Sequence, residues 1–171
     1  MIRNIVIYPD KRLRKVSRDV IEFDEKLHKL LDDMYETMIA KDGIGLAAIQ
    51  VGIDLNALLI NLADEEGNQY KEDLLEVINP KITHLEGDEI YQEGCLSIPE
   101  FFEDIKRAKK ITVEYFDRFG NKIVSDLDGL LAIAMQHEID HLKGHLFIEK
   151  LSYLKRKKFE KEWKKKLKAA K

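Results

Sequence analysis

The stretch Gln136-His137-Glu138-Ile139-Asp140-His141 (QHEIDH) places two histidines four residues apart, with a glutamate directly after the first. On a helix, positions i and i+4 share a face, so both imidazoles can bind one metal ion while Glu138 faces a water molecule held there. That is a hydrolase's arrangement. A catalytic metal site usually has three protein ligands and one open position, so a third ligand is needed. Cys95, the single cysteine of the chain, and His145, four residues after His141, compete for the place. Gly144 should end the helix before His145, which ranks Cys95 first. His28 and His84 lie on a helix and a strand with no partner motif and read as surface or structural residues.

These groups need elements to hold them. Asp128 to Met135 is apolar all round, which predicts a helix buried in the core, with Asp128 capping its start and Gly144 its end. Asp24 to Asp42 is amphipathic, with Leu27, Leu30, Leu31, Met34, Tyr35, Met38 and Ile39 recurring every three or four residues, and Gly43 stops it. The glycines and alanines of Gly43 to Gly52 form either a loop joining helix to strand or a backbone that a ligand approaches closely. Strands are expected at Leu55–Leu62, Leu74–Asn79, Lys81–Leu85 after Pro80, Ile111–Asp117 and Lys122–Ser125, the last two as a hairpin. Tyr91 to Glu100 reads as a tight, non-helical segment around Cys95. Strands grouped between helices, without βαβ alternation, indicate an α+β fold: antiparallel β-sheets packed around a buried metal-binding helix, with an additional C-terminal helix.

At 171 residues the chain is long enough for one domain with its own core. No stretch has the roughly 20 apolar residues of a membrane span, and the apolar opening is too short for a secretory signal, so a cytoplasmic protein is expected. One cysteine excludes an internal disulfide. The net charge of -3 hides an asymmetry: residues 150–171 hold 11 Lys+Arg against 2 Glu. Ser152 can cap a helix over 152–169 in which Phe159, Trp163 and Leu167 make an apolar stripe between lysines. Such a helix either rests its stripe on the acidic body or offers its charge to a phosphate backbone.

Together, GIGLAAIQ (Gly43 to Gln50), EGCLS (Glu93 to Ser97) and QHEIDH resemble, in order and spacing, the motifs of the bacterial peptide deformylases. The resemblance implies an α+β fold and a hydrolase that removes the N-formyl group from the initiator methionine of nascent polypeptides, releasing formate. It implies that Cys95, His137 and His141 bind one divalent metal ion, ferrous iron physiologically, with zinc, nickel or cobalt also accepted. Glu138 would be the general acid/base, and Gln50 with the backbone N–H of Leu96 would hold the developing oxyanion. Gly43, Ile44 and Gly45 would pair with the extended substrate. Tyr91, Glu93, Gly94, Leu130, Ile133 and Ala134, with Ile44, would surround it and its methionine side chain. The resemblance further implies a monomer whose basic C-terminal helix docks on the ribosome. Phe102, where many members carry arginine, and Ala134, where a cysteine or similar residue is frequent, depart from the pattern at the substrate rim and the pocket floor. Two competing readings are a zinc peptidase of the HExxH type with Glu160 or Glu162 as a further ligand, and a deformylase-like binding protein without catalysis.

Overall fold

The computed structural model describes residues 1–170; Lys171, counted above in the charge of the tail, lies outside the described residues. The first long element is α1 (Glu25–Ala40). The Asp24 carboxylate accepts from the Leu27 N–H at 3.1 Å and caps it, and the Gly43 N–H donates to the Met38 carbonyl just past its end. Expected over Asp24–Asp42, the helix is thus shorter by its caps.

A five-stranded antiparallel sheet follows, from β1 (Gly45–Ala47), β2 (Ala57–Ile60), β3 (Leu75–Glu86), β6 (Lys110–Phe116) and β7 (Lys122–Asp128), in the order β1-β2-β3-β6-β7. The intervening β4 (Glu89–Cys95) and β5 (Ile98–Arg107) pair with each other as a second sheet. Alternation along β2 explains why it is apolar at every position. Leu59 joins Leu27, Leu30, Met34 and Met38 of α1 on one face, whereas Leu58 and Ile60 join Ala132, Met135 and Ile139 of α2 (Gly129–Leu142) on the other. The metal-motif helix is therefore pressed against the sheet on the face opposite α1. Its burial, near complete from Ala132 to Ile139, matches the all-round apolar run.

Two sequence expectations need correction. Leu74–Asn79 and Lys81–Leu85 form one strand: Asn79, at φ +51°, takes up a register shift that passes Pro80, and its side-chain amide bonds both the N–H and the carbonyl of Val20. The tight, non-helical segment expected over Tyr91–Glu100 is a hairpin, with Leu96 and Ser97 as its turn and Cys95 opposite Ile98. Asp128 stands at the start of α2, but its side chain makes no capping hydrogen bond. Gly144, by contrast, has the left-handed backbone expected of it, φ +80°.

The last helix, α3 (Tyr153–Ala169), begins at Ser152, whose hydroxyl accepts from the Lys155 N–H. Phe159 and Trp163 are buried with Val6, Ile98, Ile105 and Phe147 in a third apolar cluster that also anchors the β4-β5 hairpin, and Trp163 Nε1 donates to the Tyr8 carbonyl at 3.1 Å. Leu167, expected in the same stripe, stays partly exposed.

Candidate metal centre

The hairpin turn and the buried helix meet at Cys95, His137 and His141, whose ligand atoms all lie within 4.8 Å of one another. Cys95 Sγ is 3.3 Å from His141 Nε2. His137 donates through Nδ1 to Glu93 Oε1 at 2.8 Å, which fixes its tautomer and leaves Nε2 for the centre. Glu93 is in turn gripped by Arg107, Nε to Oε2 at 2.6 Å and Nη2 to Oε1 at 3.0 Å, and Arg107 Nη1 donates to Asp140 at 2.8 Å. Asp140 sits on α2 between the two histidines, so this buried network ties both sheet and helix to the centre.

His145 does not take part: it is exposed and faces Glu149 at 3.4 Å. Glu160 and Glu162 lie on α3 and are not among the clustered ligands. His28 bonds the Arg118 carbonyl and His84 is exposed, as their structural reading expected.

The donor set fits a divalent cation. One sulfur and two imidazole nitrogens suit zinc, iron, nickel or cobalt, not magnesium or calcium. Two buried polar atoms here, Glu138 Oε1 and His141 Nδ1, have no protein hydrogen-bond partner, which is rare for buried groups. The electrostatics agree. Burial disfavours charge on His137, yet its electrostatic interaction with Glu138 and its hydrogen bonds to Cys95 and Glu93 raise its pKa well above the usual value, so the pocket favours positive charge. His141 is held neutral by burial and by the neighbouring charge of His137, the form in which imidazole binds metal. Burial pushes the Glu138 carboxyl up to about 7, His137 opposing and Glu93 reinforcing the shift.

Gln50 approaches from the short 3-10 turn Ala48–Val51. Its Oε1 accepts from the Ala47 N–H at 2.9 Å, which decides which end of the amide is oxygen, and its Nε2 lies 3.4 Å from Cys95 Sγ and 3.1 Å from Ser97 Oγ.

Strand β1 is an edge of its sheet. Because the Asn61 N–H donates to the Ile44 carbonyl, strand alternation turns the N–H and carbonyl of Gly45 away from β2, toward the open edge. A Cβ on Gly45 would lie 2.5 Å from Glu138 Oε2, so glycine is what allows the strand to pass beside that carboxylate. The edge borders a cleft of about 990 Å³, lined by Gly43, Ile44, Gly45, Gln50, Tyr91, Glu93, Gly94, Cys95, Leu96, Leu130, Ile133, Ala134, His137 and Glu138. Every residue expected at the site faces this cleft except His141, which is buried behind it. Glu93 does line it, but its carboxylate is engaged by His137 and Arg107. At the rim, the ring of Phe102 lies over Gly94, where a Cβ would be 2.5 Å from it.

Sequence reasoning missed Arg107, Asp140 and Ser97. Asp140 lay inside the quoted motif and Ser97 inside EGCLS, but Arg107 is hidden among Lys106, Lys109 and Lys110. An arginine opposite the outward-turning pattern of β5 was the one available signal.

An open cleft ending at one thiol, two imidazoles and a buried carboxylate defines a metal-dependent hydrolase. Residues 2–157 match the family described as polypeptide deformylase. The chain is 56% identical over 167 residues to a peptide deformylase of Nautilia profundicola, covering 98% of this chain and 96% of that one. It is 57% identical over 169 residues to a peptide deformylase of Campylobacter jejuni, covering 98% and 97%. A crystal structure of a peptide deformylase from Legionella pneumophila superposes with a TM-score of 0.89 at 42% identity, covering 100% of this chain and 99% of that one. The chain belongs to the polypeptide deformylase family, metal-dependent hydrolases that remove N-formyl groups. No helix is long and apolar enough to cross a membrane among the described residues.

Proposed function

We propose that the chain deformylates the initiator methionine of nascent polypeptides with Cys95, His137 and His141 holding one divalent ion, ferrous iron in the cell. The observation that carries this reading is the convergence of those three ligands and the unpartnered Glu138 Oε1 at the end of a cleft bordered by an open strand edge. When bound, the ion supplies Lewis acidity, polarising the formyl oxygen and making water a nucleophile near neutral pH.

The rest is the work of side chains and backbone. The outward N–H and carbonyl of Gly45 pair with the extended peptide, and Ile44, Tyr91, Leu130, Ile133 and Ala134 enclose the methionine side chain, while Gly43 and Gly94 line the same cleft and leave room for the Leu96 and Phe102 side chains that a Cβ would meet. Glu138, with its pKa raised toward 7, takes the proton of the attacking water on its carboxylate and delivers it to the departing amine as the formyl C–N bond breaks. The Gln50 Nε2–H and the Leu96 N–H donate to the oxygen on which negative charge develops; one such donor is worth about 3 kcal/mol. Glu93 and Arg107 hold His137 in register throughout.

The protein acts as a cytoplasmic monomer, and its lysine-rich α3 gives it an affinity for ribosomal RNA. Formate release from a formyl-Met peptide, compared with cleavage of an unformylated internal peptide, tests the reaction in protein purified anaerobically with its metal quantified. Formate release with about one bound iron supports the reading; internal cleavage alone would overturn it in favour of a zinc peptidase.

A further inference from the structure

Ser97 is fully buried at the tip of the β4-β5 hairpin, two residues after the cysteine of the centre, and no step above uses it. Its hydroxyl faces the catalytic amide: Gln50 Nε2 donates to Ser97 Oγ at 3.1 Å. A primary amide has two N–H donors and one carbonyl, and here three of its directions are assigned. The carbonyl is held by the Ala47 N–H, one N–H points to Ser97, and Nε2 also lies 3.4 Å from Cys95 Sγ. The N–H engaged by Ser97 is thereby kept from rotating toward the centre, and the other N–H is directed at Cys95 Sγ, on the side of the centre. The hairpin tip is itself fixed, because the Ser97 carbonyl accepts from the Tyr8 N–H at 2.9 Å.

We infer that Ser97 is a positioning residue that locks the Gln50 amide with one N–H aimed at the reaction centre. The inference rests on the reading of Gln50 as an oxyanion donor given above. Ala47 alone restrains the amide less tightly, because a single hydrogen bond to the oxygen tolerates a range of angles, and a second anchor on the nitrogen narrows the range the amide plane can occupy. Oxyanion donors contribute in proportion to how well they are aligned before the reaction, so a loosened amide costs turnover more than ground-state binding.

The experiment compares wild type, Ser97→Ala, Gln50→Ala and the double variant for kcat and KM on a formyl-Met peptide. It adds metal content and the ¹⁵N spectrum of the Gln50 side-chain amide in the zinc-loaded protein. Ser97→Ala should lower kcat about tenfold with KM within about twofold, keep its metal, and shift the Gln50 amide resonances with loss of their exchange protection. The double variant should be no slower than Gln50→Ala, since there is no amide left to position. Ser97→Cys, a weaker acceptor of similar shape, should fall between wild type and Ser97→Ala, and it carries the test should the alanine variant fail to fold. Unchanged Gln50 resonances in Ser97→Ala, or kinetic losses that multiply in the double variant, would overturn the inference. Full turnover by Gln50→Ala would instead sink the role given to Gln50 itself, and the two failures are separable because the amide spectrum reports the Ser97 contact independently of rate.

Discussion

Glu93 Oε1 accepts the Nδ1 proton of His137 at 2.8 Å while both oxygens of the same carboxylate receive the Arg107 guanidinium. Burial would raise the Glu93 pKa, but the hydrogen bonds from His137 and Arg107 outweigh it and keep the carboxylate ionised. A ligand histidine backed by an anion is both oriented and made a stronger donor. Glu93→Gln should therefore weaken metal binding by about 10- to 100-fold, read by chelator competition. Glu93→Ala should in addition destabilise the fold, by up to about 3–5 kcal/mol, because it leaves the buried Arg107 with Asp140 as its one remaining carboxylate partner. Native metal affinity in both variants would contradict this role.

Glu138 is beside the centre without belonging to the clustered ligands. Glu138→Gln keeps the shape but cannot carry a proton, so turnover should fall by about 10²- to 10⁴-fold with metal retained. Cys95→Ala should lose the metal instead, a three-ligand site becoming a two-ligand one. Metal analysis of the two variants side by side checks the division of labour.

Gly45 gives a steric test. A methyl group there meets Glu138 Oε2 at 2.5 Å, whereas one on Gly67 meets nothing within 4 Å. Since Gly45 also lies on the open strand edge proposed to pair with the substrate, Gly45→Ala should cut kcat/KM by about 100-fold through a displaced carboxylate. Gly67 has a positive φ, so Gly67→Ala should cost some stability but leave kcat/KM near wild type. Steady-state kinetics on both variants measure the contrast.

Much of this centre was legible because its signals are local. The i, i+4 histidines, the all-apolar run of α2 and the left-handed Gly144 are each decided within one or two helical turns. What sequence did not reveal is set by distant pairing. Strand β5 carries the string Pro99-Glu100-Phe101-Phe102-Glu103-Asp104, which lacks clean alternation because a register shift interrupts its pairing with β4. Pro80 looked like a strand end because the Asn79 bulge that accommodates it depends on Val20, 59 residues away. Arg107 reaches Asp140 across 33 residues, a contact no spacing rule encodes.

Asp117 closes the β6-β7 turn, accepting from the N–H groups of Phe119 and Asn121 at 2.9 and 3.0 Å. Burial raises its pKa, but these bonds prevail and hold it below the ordinary value. A depressed carboxylate stabilises the fold above its unfolded pKa, near 3.9, and that contribution disappears as pH falls through the folded value. The wild type should therefore lose stability faster than Asp117→Asn on acidification below about pH 4, and the gap between their Tm values should shrink there. Both proteins share the metal centre, so its acid sensitivity cancels in the difference. Parallel Tm curves from pH 6 to pH 3 would refute the assignment.

The basic helix α3 is not a detachable tail. Phe159 and Trp163 are buried, and the Phe159 ring packs tilted against Phe101, which stacks on Phe147, whose ring lies 5.7 Å from that of His137. Removing residues 152–171 would open that cluster, so truncation should lower stability, and any loss of ribosome binding in it would be ambiguous. The charge can be tested without the core. Lys155 and Lys166 pair with Glu103 and Glu100, while Lys157, Lys158, Lys161, Lys164, Lys165 and Lys168 are exposed and in no ion pair among the described residues. Replacing Lys157, Lys161, Lys164 and Lys168 with glutamine should leave Tm within a few degrees and turnover on a short formyl-Met peptide unchanged, since surface substitutions cost about 0.5 kcal/mol or less each. Co-sedimentation with ribosomes at low salt should fall sharply, and what remains should depend less steeply on salt, as fewer counterions are released. Undiminished co-sedimentation of the four-site variant would leave α3 as a structural brace whose lysines only solvate it.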